Sequence, residues 1–182
     1  MKDKFILDAC CGGKMFWFNK EHPNAIYIDN RIEEKGFLRN GRQIEVKPDI
    51  LMDFRKLDFP DKSFKLVVLD PPFLKNVSEN FIKNFNMGNR GEDHHQFIIG
   101  YQYGYLDKNT WKEDLKKGFD ECWRVLDDYG VLIFKWGDHD IKIKELLEVL
   151  GREPLFGHRT RNSKRGNTHW FCFMKIPNEI TK

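Results

Sequence analysis

Four short apolar runs in this chain each close on an aspartate: "FILD" at Asp8, "AIYID" at Asp29, "ILMD" at Asp53 and "KLVVLD" at Asp70. Runs this short, rich in Ile, Leu, Val and aromatic residues, read as buried strands rather than helices. A fifth lies in "GVLIFKWGD", a sixth near "PLFGHRTR" and a last in "THWFCFMK". Helical spacing appears between them. Trp111, Leu115, Phe119, Cys122, Trp123 and Leu126 fall near one face, with Gly130 as the expected stop. "IKIKELLEVLGR" is a second amphipathic helix, and "KMFWF" is placed to begin one after the Gly12-Gly13 turn. Strands alternating with helices predict a doubly wound α/β fold around a mostly parallel sheet of seven strands. Only a loop separates the last two strands, so the final strand is expected to run antiparallel.

In such a sheet ligands bind beyond the carboxyl ends of the strands, where the strand order reverses. Each of the four acids taken alone is unremarkable as a strand end or helix cap. Four in register point to a binding edge. The turn "DACCGG", Asp8 to Gly13, can bring backbone close to a ligand, because glycine adds no side chain. Asp29, about twenty residues beyond Asp8, suits an acid that binds ribose hydroxyls. The turn lacks Gly-x-Gly-x-x-Gly, and Lys14 is preceded by Asp8 where a phosphate-binding loop needs glycine and followed by Met15 where it needs serine or threonine. Neither a dinucleotide nor a nucleoside triphosphate is indicated.

The 182 residues suit one domain, 1–182, with a substantial core. No apolar segment approaches the roughly 20 residues of a membrane helix, and the N-terminus reads as a first strand rather than a signal peptide. A cytoplasmic protein without membrane contact is expected. Four irregularly spaced cysteines, Cys10, Cys11, Cys122 and Cys172, form no Cys-x-x-Cys, so neither a metal site nor a disulfide framework is expected. Net charge is only +3, yet between residues 151 and 175 six basic side chains face the single acid Glu153. That basic hairpin, at about 157–170, fits phosphate tracking or a solvated surface equally.

The fourth strand ends in "LDPPF". Two prolines supply no N–H and cannot extend a ladder, but they hold one carboxylate, one carbonyl and one ring rigidly at a strand end. Here the chain resembles the class I S-adenosylmethionine-dependent methyltransferases, and more narrowly those with an Asp-Pro-Pro-Tyr/Phe motif that methylate amino groups of nucleic-acid bases. The resemblance runs from "LDACCGG" through "YIDNR", "DILMDF" and "LDPPF" to the last strand, with Cys10 standing where the family's turn has its first glycine. It implies a Rossmann-like fold and S-adenosylmethionine as cofactor. It implies that Asp8, Ala9, Cys10, Gly12 and Gly13 line the methionine part, that Asp29 binds the ribose, and that Asp53 or Phe54 meets the adenine.

The motif's chemistry follows from the substrate. An exocyclic amino nitrogen is a poor nucleophile because its lone pair is delocalised into the ring. Accepting both amino hydrogens draws the nitrogen toward a tetrahedral shape. The resemblance assigns these acceptors to the Asp70 carboxylate and the Pro71 carbonyl, with Pro72 stiffening the turn and Phe73 stacking on the base. Methyl then passes directly from the sulfonium to nitrogen, with no covalent enzyme intermediate. A pyrimidine C5 methyltransferase needs a nucleophilic cysteine, usually in Pro-Cys, and no cysteine here follows a proline. Lys14, Lys135 and His169 are left outside the catalytic set, as a snorkelling lysine or a satisfied histidine explains each.

Between the motif and the helix at Trp111 lies an insertion of about 74–111, far longer than an ordinary loop. Lys75, Lys83 and Arg90 are interleaved there with Phe81, Phe85, Phe97, Tyr101, Tyr103 and Tyr105, which suits base stacking or packing on the sheet. The insertion and the hairpin leave no room for a large target-recognition region, so a protein partner or a homodimer is consistent with the chain. Three functions remain open: a DNA amino-methyltransferase, adenine N6 favoured; an RNA base amino-methyltransferase; and a noncatalytic cofactor-binding subunit of a larger complex.

Overall fold

A computed structural model describes residues 3–38, 43–75, 102–159 and 167–177. Its strands are β1 (Ile6–Asp8), β2 (Ala25–Asp29), β3 (Ile50–Leu51), β4 (Phe64–Leu69), β5 (Leu126–Gly137), β6 (Phe156–Arg159) and β7 (Thr168–Met174). They form one sheet in the order β3-β2-β1-β4-β5-β7-β6. β7 runs antiparallel to both its neighbours, and the other six strands are parallel. This is the expected seven-stranded mixed sheet. The order reverses between β1 and β4, so their carboxyl ends flank the switch point.

Helix α1 (Trp111–Val125) connects β4 to β5, and α2 (Ile143–Leu150) connects β5 to β6. Strand alternation decides which residues these helices cover. Ile26 and Ile28 of β2, and Leu132, Phe134 and Trp136 of β5, join Leu115, Phe119, Leu146 and Leu150 in the main core. Ala25 and Tyr27, on the opposite face of β2, form a small second cluster with Cys11, packed by Ile6 and Trp17. Arg124 ties the chain before β4 to α1. Its guanidinium donates to the carbonyls of Leu57 and Phe59 at 2.8 Å and to Asp61 at 2.7 Å.

Two local expectations are corrected. No helix follows the glycine turn; the chain there makes successive turns with bonds such as Trp17 N–H to the Lys14 carbonyl, 3.2 Å. Lys14 itself takes φ +51°, so the helical path stops where it would have to begin. Nor does Gly130 end α1. The helix stops at Val125, Leu126 is already extended, and the chain enters β5 directly through an irregularity that includes Tyr129 at φ +59°. Most of the insertion, residues 76–101, and the tip of the basic hairpin, residues 160–166, lie outside the described residues; so do Phe81, Lys83, Phe85, Arg90, Phe97 and Tyr101.

Candidate active site

Backbone bonds carry the β1 ladder past its end: Ala9 N–H donates to the Val68 carbonyl and Cys11 N–H to that of Ile28, both at 2.9 Å. The chain then turns at Gly12, φ +46°, a conformation that favours glycine. A side chain at Gly12 would meet no atom within 4 Å, so the turn presents bare backbone to open space. Gly12 N–H donates to Asp29 Oδ2 at 2.9 Å, locking the glycine turn to the end of β2. Asp29 Oδ1 accepts from the Arg31 backbone N–H at 3.1 Å and from Nε at 3.2 Å.

One cavity gathers Ala9, Cys10, Gly12, Gly13, Asp29, Phe54, Asp70 and Pro72 from the residues singled out in the sequence. Asp8 lies behind the wall rather than in it. Fully buried, its carboxylate accepts from Trp17 Nε1 at 2.7 Å. Burial pushes its carboxyl up to about 7, with the nearby Asp70 and Asp29 charges adding to the effect. Asp53 faces away, held by Arg55, whose Nη2 donates to it at 2.6 Å and whose Nη1 reaches Asp114 of α1 at 2.8 Å. Phe54 and Met52 supply the lining on that side. Pro71 and Phe73 are buried beside the cavity without lining it. The Phe73 ring packs against Tyr103 and His139 at centroid distances of 5.4 and 5.3 Å.

Lys135 joins the site although the sequence left it out. Strand register explains its position: Leu69 pairs with Phe134, so Asp70, just past the end of β4, and Lys135, two residues before the end of β5, follow side by side. Lys135 Nζ donates to Asp70 Oδ2 at 2.5 Å. Around that ammonium stand the rings of Tyr103, Phe16 and Trp170, at 5.2, 5.6 and 5.9 Å from Nζ to each centroid. Burial raises the Asp70 carboxyl above its ordinary range, and the charge and hydrogen bond of Lys135 pull it back. Burial is the largest single influence and works against the ammonium, but the charge and hydrogen bond of Asp70, with Tyr103 and Asp8, together raise Lys135 above its ordinary value. A signal for this pair was present as a lone lysine inside the apolar run of β5, but the register was needed to read it.

The other two side chains set aside earlier have structural partners. Lys14 Nζ sits over the Tyr27 ring at 3.9 Å, and His169 Nε2 lies 2.9 Å from Asp138 Oδ2. Burial, reinforced by Asp29, keeps the Cys10 thiol protonated, so no thiolate nucleophile faces the cavity. Among the described residues there is no cluster of three or more His, Cys, Asp or Glu suited to a metal, and no helix long and apolar enough to cross a membrane.

No family model and no curated protein matches the sequence. Solved structures do match. A SAM-dependent methyltransferase of Leishmania major superposes with a TM-score of 0.52 at 14% identity over 93% of this chain, which spans 63% of that one. The N-methyltransferase NodS of Bradyrhizobium japonicum WM9 gives 0.52 at 12% identity over 95% of this chain and 86% of its own. This chain shares their fold. The [4+2]-cyclase SpnF matches with a TM-score of 0.51 at 11% identity, over 96% of this chain and 76% of its own. A fold shared by methyltransferases and a cyclase leaves the reaction to be argued from the site.

Proposed function

We propose that this chain is an S-adenosylmethionine-dependent methyltransferase acting on the exocyclic amino group of a nucleic-acid base, adenine N6 in DNA foremost. The observation that carries the proposal is Asp70 on the cavity wall, buried, backed by Lys135 and followed by the rigid Pro71-Pro72 pair, in the cavity that also holds the glycine turn. The residues fit the cofactor. Asp29 and Asn30 offer acceptors for vicinal hydroxyls, Gly12 allows close backbone approach, and Met52 with Phe54 provides apolar surface for a purine. When bound, the cofactor supplies an electrophilic methyl on a sulfonium.

The chain's own groups then have defined tasks. Asp70, whose ionised form Lys135 favours, accepts a hydrogen bond from the target amine, and the resemblance gives the second to the Pro71 carbonyl, on the backbone between Asp70 and the cavity-lining Pro72. Once nitrogen has gained its methyl it carries one proton too many, and Asp70, whose burial raises its affinity for a proton, takes it. Lys135 steadies the carboxylate through both steps.

The direct test offers labelled methyl donor with duplex DNA, single-stranded DNA and structured RNA, and identifies the product nucleosides. N6-methyladenine in DNA is the expected result. Label in RNA alone would move the substrate to RNA, and no label despite cofactor binding would overturn the nucleic-acid substrate for this chain on its own and point to a missing partner or a cofactor-binding scaffold. A pH prediction follows from the ion pair. Activity requires ionised Asp70, so it falls as pH drops through that group's pKa. Removing the ammonium in Lys135→Met raises this pKa, and the acid limb of the kcat profile moves up by about 1–3 pH units, the usual influence of an adjacent opposite charge. Lys135→Arg retains the charge and keeps the limb near its original position. An unmoved limb in Lys135→Met would show that the pair does not set Asp70's ionisation.

A further inference from the structure

The segment where a helix was expected, residues 14–20 ("KMFWFNK"), holds its backbone by other means. Trp17 is anchored by its bond to Asp8 and lies edge-on to Tyr27 at 5.0 Å. Phe16 meets Trp170 edge-on at 5.4 Å. On the far side, the Asn19 carbonyl accepts from the Tyr27 hydroxyl at 3.2 Å, and Lys20 Nζ donates to the Gly13 carbonyl at 3.1 Å. Between these anchors Phe18 stands fully exposed. A single exposed phenylalanine is ordinary on a protein surface. This one is presented on a backbone fixed on both sides, so a ligand meeting it has little chain entropy to remove.

Charge accompanies the ring along the chain. Lys14 and Lys20 line a groove behind the glycine turn together with Lys4 and Lys47. None of these four lysines has a carboxylate within ion-pair distance among the described residues. Lys4 and Lys20 are engaged only by backbone carbonyls, and Lys14 by the Tyr27 ring. Three acids share the groove, Glu21, Glu45 and Asp49, and Asp49 accepts the Tyr27 backbone N–H at 3.1 Å. The groove also adjoins the candidate site. Both are lined by Gly12 and Gly13, while Met15 and Phe16, from the same segment, line the site itself.

We propose that Phe18, with Lys14 and Lys20 of the same short segment and Lys4 and Lys47 of the groove those two line, is a docking surface for an unpaired nucleic-acid strand. The lysines meet the phosphodiester backbone and Phe18 stacks on a base. The proposal rests on the nucleic-acid reading of the site and extends it to the path of the strand. Stacking on Phe18 requires an exposed base face, which a duplex interior conceals, so the surface selects single strands. A strand seated there passes the wall formed by Met15 and Phe16 on its way to Asp70.

Fluorescence anisotropy with labelled single-stranded DNA, single-stranded RNA and duplex DNA tests this across a salt series, alongside the methyl-transfer assay. Phe18→Ala is expected to weaken single-strand binding between about 5- and 150-fold, the size of one lost base–aromatic stack. Lys14→Gln with Lys20→Gln should lower the slope of log K against log salt by about 1.4, at roughly 0.7 for each phosphate contact. Lys144→Gln on α2 is the charge control, and an unchanged thermal midpoint for Phe18→Ala confirms folding. The two DNA and RNA arms identify which strand is preferred. Affinity lost in the variants without methylation of any nucleic acid upholds the surface and removes the proposed reaction. Methylation of nucleic acid with affinity and slope unchanged in the variants overturns the surface and leaves the reaction. Failure of the wild type to bind a single strand also overturns it, as does conversion of a dimer to a monomer by Phe18→Ala with oligonucleotide affinity intact.

Discussion

Asp70→Ala is expected to reduce kcat for methyl transfer by about 10³-fold while cofactor affinity holds. Loss of one preorganised hydrogen-bonding group at a reacting centre costs about 10²–10³, and Asp70 is assigned two tasks, polarising the amine and taking its proton. The substitution also has a structural consequence that must be separated from the chemistry. It leaves the Lys135 ammonium in a mostly buried position, its side chain 17% exposed, without its carboxylate. Breaking a buried pair on one side costs about 3–5 kcal/mol. A second variant resolves the two effects. Asp70→Ala combined with Lys135→Met replaces both charges, and urea denaturation should show stability recovering toward wild type while labelled methyl transfer stays abolished. If the single variant retains transfer, the catalytic assignment of Asp70 falls. If the double variant recovers transfer along with stability, the loss in the single variant came from the stranded charge.

The acids at the strand ends made the edge of the sheet legible from the sequence, because an apolar run closing on aspartate marks both a buried strand and where it surfaces. Asp29 and Asp70 do border the cavity, and Asp29 is fastened to the glycine turn by the Gly12 N–H. Asp53 has the same sequence pattern but a different fate, since Arg55 two residues on folds back to occupy it. Asp29 too has an arginine two residues on, but Arg31 meets its Oδ1 while Oδ2 takes the Gly12 N–H, whereas Arg55 closes on both oxygens of Asp53 and bridges it to Asp114 of α1. The helix expected after Gly13 failed because hydrophobicity cannot reveal that Lys14 adopts a left-handed backbone and that Trp17 is drawn to Asp8. The pairing of Lys135 with Asp70 is hidden in the sequence for a related reason. The two lie 65 residues apart in sequence, and only the parallel register of β4 with β5 brings them together.

Gly118→Ala places helix propensity against packing, and packing should win. Gly118 lies inside α1, where alanine is favoured over glycine by about 1 kcal/mol. Yet a Cβ there would fall 2.1 Å from Phe54 Cε2 and 2.3 Å from Cδ2. The residues after Phe54 are fastened to α1 by Arg124 through the Leu57 and Phe59 carbonyls, so the loop cannot simply lift away. The ring must swing from the helix toward the cavity it lines. Overpacking of this kind costs about 1–3 kcal/mol, enough to cancel the helical gain, and the displaced ring narrows the proposed adenine position. The thermal midpoint should fall, and calorimetric titration should find S-adenosylmethionine binding weaker by about tenfold or more, since each 1.4 kcal/mol is tenfold. Phe54→Leu in the same chain removes the ring edge and should restore the midpoint. A raised midpoint with unchanged cofactor affinity would mean that α1 shifts instead, and that the Phe54 ring is not the wall on which the cofactor's adenine rests.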